Sequence, residues 1–282
     1  MNLRNNHVGS NASPCAAARL STPLAQLISS LLIGTALLSN AALAADDDTI
    51  ATDRPDFVES SNVVGKQRVQ VETSVAFERN SDAGVRERTS STPTLVRVGM
   101  SDTLELRLES DGRMRTRVTG EAAYSGTADA SFGVKWHALD AAGRAPSVGV
   151  LIHADLPSGS ARLRGHGVRP SARLVAEWEL PDDFSVGVMP GLSYESDEPG
   201  KRHVNGIVGL VLGKELTERV RGFVEIAAPQ IARARDGGSV VTFNTGVAYL
   251  LTPHCQIDTA LSRGLNARTP DLSWTVGLSF KL

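Results

Sequence analysis

Six charged residues are spaced as if to act together: Glu72, Arg97, Glu105, Arg107, Glu109 and Lys135. Each lies in a stretch where polar and apolar residues alternate. The clearest is Leu104-Glu-Leu-Arg-Leu-Glu109. An extended chain sends successive side chains to opposite faces, so the leucines share one face while Glu105, Arg107 and Glu109 share the other. Acids and bases two apart on one face can brace a wall by pairing, or ring a constriction that selects solutes by charge. The short link after Arg97 narrows the register. Arg97 opposite Glu105 makes an ion pair, whereas Arg97 opposite Arg107 would oppose like charges. The expectation is therefore an Arg97–Glu105 pair with Glu72, Arg107 and Glu109 nearby.

Other groups promise less. His153 and Asp155 share a strand face, but no third metal ligand can be placed with them, so they read as a polar pair. His254 and Cys255 are adjacent in a turn, where neighbouring side chains point apart. Gly209-Leu-Val-Leu-Gly213-Lys214-Glu215 has three residues between its glycines where a phosphate loop has four, and Glu where that loop needs Ser or Thr. Neither G-x-S-x-G nor H-E-x-x-H occurs. No metal site, cofactor or enzyme activity is expected.

The elements that must hold the six residues repeat with period two from Gln67 to Leu282. Twelve strands of about nine to twelve residues can be drawn, the length that crosses a bilayer at a tilt. The fifth and eighth carry apolar residues on both faces. Connections after even-numbered strands are tight, at 100–102, 181–183, 214–218 and 252–255, with 139–145 slightly longer. Odd-numbered strands are followed by longer polar segments, at 81–91, 112–127, 158–170, 196–202, 229–238 and 264–271. Sorting by parity suits an all-β, twelve-stranded antiparallel transmembrane barrel, and a soluble sandwich has no reason for it. Trp136, Trp178, Tyr194, Tyr249 and Trp274 fall near strand ends on the apolar face, where ring side chains suit a bilayer interface. The polar face is rich in small residues, among them Ser185, Gly187, Gly191, Ser193, Thr275, Gly277 and Ser279, and suits a wet lumen.

The N-terminus names the compartment. Arg4 and Arg19 precede an apolar run at 24–44 that closes Ala42-Leu43-Ala44, the pattern of a secretory signal peptide cut after Ala44. The expected parts are then a signal peptide (1–44), an N-terminal periplasmic segment (45–65) and the barrel (66–282). Removing residues 1–44 leaves 27 basic and 31 acidic residues, a formal charge of −4, which no nucleic-acid binder would favour. Cys255 alone remains of the two cysteines, so no internal disulfide can form. The acidic, proline-containing stretch Thr52-Asp-Arg-Pro-Asp56 either occupies the periplasmic mouth or leads flexibly into the first strand.

Several pieces occur in order: Thr52-Asp-Arg-Pro-Asp56, then 69–77 carrying Glu72, Arg97-Val-Gly99, Ser101-Asp102 and Leu104-Glu-Leu-Arg107. Phe132-Gly-Val-Lys135, Leu156-Pro-Ser-Gly159, Ile257-Asp258, Arg263-Gly-Leu265 and Val276-Gly-Leu-Ser-Phe280 follow. Together they resemble the exported barrel family named for a meta-pathway of phenol degradation. That resemblance implies an outer-membrane channel or transporter. The reading is a passive channel for small solutes, hydrophobic or aromatic ones included, inserted by the barrel assembly machinery into outer-membrane lipid. Two alternatives stay open: a soluble periplasmic barrel binding a ligand, and an outer-membrane hydrolase.

Overall fold

In a computed structural model, residues 49–82, 84–198 and 201–282 are described. The expected signal peptide, 1–44, lies outside them. Among the described residues the architecture is all-β, with one short 3-10 turn at Ala234–Asp236. The strands are β1 (Val69–Asp82), β2 (Val85–Ser91), β3 (Thr94–Gly99), β4 (Leu104–Ser110), β5 (Arg113–Val118), β6 (Tyr124–Thr127), β7 (Ala130–Leu139) and β8 (Ser147–Leu156). They continue as β9 (Arg169–Leu180), β10 (Phe184–Glu198), β11 (Lys201–Thr217), β12 (Val220–Ile231), β13 (Val240–Thr252), β14 (Cys255–Gly264) and β15 (Leu272–Lys281). Neighbours pair antiparallel in the order β1-β3-β4-β7-β8-β9-β10-β11-β12-β13-β14-β15, and β15 pairs back with β1. The result is a closed barrel of twelve strands, each where the alternation predicts one.

The outer face is apolar. Leu106 and Leu108 are 43% and 42% exposed, while Glu105 and Arg107 between and beside them are buried inside. Val134, Ile152, Leu174, Leu210, Ile226 and Val276 continue this exposed surface around the wall. A contiguous apolar surface of this extent suits hydrocarbon, not water. Two aromatic levels bound it. Trp136, Phe184 and Tyr249 lie toward the tight turns; Phe77, Tyr194, Phe243 and Trp274 lie toward the long connections, with Phe77 and Trp274 stacked at 5.9 Å. A closed barrel of even strand number with such a face belongs to the bacterial outer membrane.

Two expectations are corrected. First, segments 81–91 and 112–127 are not loops. β1 runs on to Asp82 and pairs with β2, β2 pairs with β5, and β5 with β6, so the wall continues beyond the aromatic level as a four-stranded extension. The strands bend together at one height. Pro93 interrupts between β2 and β3, and Gly112, at φ +64°, interrupts between β4 and β5. Thr92 donates to the Asp111 carbonyl at 3.0 Å, and Ala128 to the Gly112 carbonyl at 2.8 Å, so the three bends stay bonded. These strands escape a search for alternating hydrophobicity because they are short and their outward faces are polar, arginine above all.

Second, the β3–β4 register differs. Arg97 lies opposite Arg107, and Glu105 opposite Gly99. The like-charge opposition that argued against this register is offset by a carboxylate from elsewhere in the chain, described next.

Candidate functional site

The chain from Ile50 to Val64 runs inside the barrel on the tight-turn side. Backbone amides there have no strand partner, and inward side chains supply acceptors instead. The amides of Asp53 and Arg54 donate to Glu72 of β1. Those of Phe57 and Val58 donate to Glu225 of β12, that of Ser61 to Glu177 of β9 and that of Val64 to Glu105 of β4. Arg221 of β12 reaches Asp56 at 3.1 Å, and Gln256 of β14 donates to Thr52 at 2.9 Å. The segment is thus tied to opposite walls and crosses the lumen.

Its anchor is Asp53. The carboxylate sits 2.6 Å from Arg107 Nη1, 2.8 Å from Lys135 Nζ and 3.4 Å from Arg97 Nη1. Glu105 accepts from Arg97 Nε at 2.9 Å and from Arg107 Nη1 at 2.8 Å, while Glu72 takes Arg97 Nη1 at 3.2 Å. Glu59 bridges Arg107 at 2.6 Å and Arg173 at 2.8 Å. Two acidic residues from the inner segment and two from the wall thus balance four wall cations. Burial alone would raise the pKa of Asp53, but Arg97, Lys135 and Arg107 outweigh it and hold that carboxyl well below the usual range. Glu59 is likewise buried yet held low by Arg107, Lys135 and Arg173. Asp56 goes the other way: its burial outweighs the attraction of Arg221 and pushes it up.

Glu72, Arg97, Glu105, Arg107 and Lys135 therefore meet in one buried network, as a shared inner face requires. Glu109 faces the lumen beyond the segment, lining a cavity of about 220 Å³ with Asp53, Glu59, Arg107 and Arg173. The expected Arg97–Glu105 contact exists, but diagonally across the ladder. Asp53, Glu59 and Arg173 were not among the expected site residues. The first two sit in irregular backbone, where no periodicity points to them. His153 accepts from Arg107 Nε at 3.2 Å and lies over Gly133, where a β-carbon would meet its ring at 1.8 Å. It packs against the network, while Asp155 lies 3.5 Å from Arg169 Nη2.

The far side of the segment is apolar. Val58 packs with Leu151, Val175, Met189, Val211 and Phe223, and Phe57 lies against this cluster. That explains the fifth and eighth sequence strands: Leu151 of β8 and Val211 of β11 point inward onto the segment while Ile152 and Leu210 face out. Gly209 makes room, since a β-carbon there would meet Val58 at 2.5 Å. At the root of the segment the same holds for Gly99, whose β-carbon would meet the Gly65 carbonyl oxygen at 1.6 Å.

Space remains on both sides. A cavity of about 360 Å³ toward the long connections is lined by Glu109, Asp129, His153, Arg169 and Arg173. Another of about 310 Å³ lies beside Phe57, against Ala227, Val240, Ala260, Thr242, Ser273 and Thr275. A third, of about 330 Å³, opens among Thr49, Asn62, Glu177 and Arg219 toward the tight turns.

The fold is shared with an outer membrane channel from Pseudomonas putida F1, at a TM-score of 0.64 and 10% identity over 79% of this chain and 98% of that one. Lower likeness is found to NanC porin, at a TM-score of 0.49 and 12% identity over 76% and 100% of the two chains. The CymD monoaromatic hydrocarbon channel follows, at 0.42 and 10% over 77% and 90%. At these identities the likeness is one of fold. Comparison with curated protein sequences returns no match. Residues 52–282, the inner segment and the whole barrel, match the family described as "Putative MetA-pathway of phenol degradation", and the chain belongs to that family.

Proposed function

We propose that this protein is a passive outer-membrane channel for small solutes, narrowed by residues 50–64. The observation that carries the reading is the pair of lumen cavities, one toward the long connections and one toward the tight turns, on either side of an inner segment that fills only part of the cross-section. The β1–β9 side of the segment is sealed by charge. Beside Phe57 the walls are mostly small, apolar or hydroxylated, with Asp56, Glu78 and Asn244 as hydrogen-bonding groups, and about 310 Å³ is at the low end of small-molecule sites. A ring-sized solute bearing a hydroxyl suits that lining better than a sugar or an ion does. The family's name and the channel fold support the same class of cargo. Glu109, Arg173 and the outer cavity form the approach, and Glu72, Arg97, Glu105, Arg107 and Lys135 hold the segment in place. Insertion relies on the barrel assembly machinery, as for other barrels of this build.

The test compares the full chain with one lacking residues 49–62 in planar bilayers and in liposome swelling. The full chain should give small conductance and admit phenol-sized solutes. The shortened chain should conduct several-fold more and shift toward anions, because the deletion takes Asp53, Asp56 and Glu59 out of the lumen against Arg54 alone. Two silent chains would end the channel reading.

A further inference from the structure

The extension beyond the aromatic level has two unlike faces. Phe77 points out from the barrel, so Arg79, two residues on, points out as well. Arg79 lies directly opposite Arg88, and Arg88 directly opposite Arg117. Parity places Arg86, Arg113 and Arg115 on that face too, and all six arginines are exposed. The acids of these strands, Glu78, Asp82 and Glu87, alternate to the other side. Among the described residues none of the six arginines makes an ion pair with a carboxylate. Side chains directly opposite on a ladder stand about 5 Å apart, and like charges there destabilise the sheet. Three arginines in a row, unanswered by the protein, want an external anion. The row also borders a groove of about 460 Å³ formed by Phe77, Leu272 and Trp274 together with Arg79, Arg88 and Arg115. Grease and cations meet at the outer-leaflet level.

We propose that this face binds a phosphorylated, multiply acylated lipid of the outer leaflet, of the lipid A class. Guanidinium groups pair with phosphate oxygens in a bidentate manner, and the acyl chains lie on Phe77, Trp274 and Leu272. The site rests on the orientation usual for outer-membrane barrels, short turns in the periplasm and long connections outward, and is independent of conduction. It gives the six arginines a partner whose charge and depth both match.

The purified full-length barrel is titrated with phosphorylated lipid A, the same lipid stripped of phosphates, inorganic phosphate, and heparin, with retention read by native mass spectrometry. The phosphorylated lipid should be held and the stripped form held far less. Replacing Arg79, Arg88 and Arg117 together by Gln should lower retention on the order of 100-fold, at about fivefold per cation near an anionic surface. Arg144→Gln and Arg219→Gln, at the tight-turn rim, should change nothing. Heat-modifiable mobility reports folding of each variant; the single Arg88→Gln, expected to cost about fivefold, serves if the triple variant does not fold. Equal retention of the two lipids, or of wild type and variants, overturns the assignment. So does inorganic phosphate or heparin binding as tightly as the lipid. In a Cys255→Ser background, Glu121→Cys should react with an impermeant maleimide on intact cells. Labelling only after permeabilisation would put the arginine face in the periplasm and overturn the proposal without touching conduction.

Discussion

At the scale of single residues, neighbours on β4 do opposite jobs. Leu106 faces hydrocarbon, so Leu106→Arg should cost about 2–4 kcal/mol near the bilayer midplane and cut the yield of folded barrel. Arg107→Leu should leave the barrel assembled, since no ladder bond is lost. It removes a partner of Asp53, Glu59 and Glu105. Breaking a buried charge cluster in this way costs about 3–5 kcal/mol, here against docking of the inner segment and not against the wall. Conductance should rise and selectivity should move toward cations in planar bilayers; unchanged current would mean that Arg107 anchors nothing. The same residue marks where sequence reasoning stopped. Alternation put Arg97, Glu105 and Arg107 on one face without structural help. Pairwise charge between two strands then selected the wrong register, because the deciding carboxylate, Asp53, lies 44 residues before Arg97 in chain without period. A local rule cannot see a partner that arrives from outside the sheet.

At the scale of elements, alternation locates every strand of the barrel, because one face must meet lipid all the way round. It misses β2, β5 and β6, which are short, stand above the bilayer and have no apolar outward face to reveal them. The bend at Pro93 and Gly112 separates the two regimes. Below it β3, β4 and β7 pair with one another, and above it β2, β5 and β6 do the same. Replacing residues 112–127 with a two-residue turn should therefore leave a barrel that still shifts on heating in gels, with its midpoint lowered by only a few degrees. A barrel that no longer folds would show that the extension nucleates the wall.

At the scale of the whole molecule, the inner segment and the barrel form one electrostatic unit. Asp53 and Glu59 are held below their ordinary pKa by cations, so their contribution is present above the unfolded carboxylate value, about 4, and is lost only as pH falls through the depressed folded value. In an Asp56→Asn background, which removes the segment carboxyl that burial pushes up, the narrowed conductance state should thus be the same at pH 7 and pH 4.5. A jump in current between those values would mean that the anchor titrates like free carboxylate. The seam carries a different consequence. β1 pairs with β15 from Gln70–Lys281 to Arg79–Leu272, and Val69 and Leu282 exchange bonds of 3.1 and 2.8 Å at its foot. The first strand thus finds its second neighbour only after about 200 residues of chain have been made, the costliest loop to close in entropy and a slow kind of contact to form. Until that moment Arg97, Arg107 and Lys135 have no enclosed lumen to share with Asp53. Time therefore runs outward to inward in this protein: the cylinder must zip before its own N-terminal thread can settle, and a nascent barrel passes through an open, wide-bored state that the finished one no longer shows.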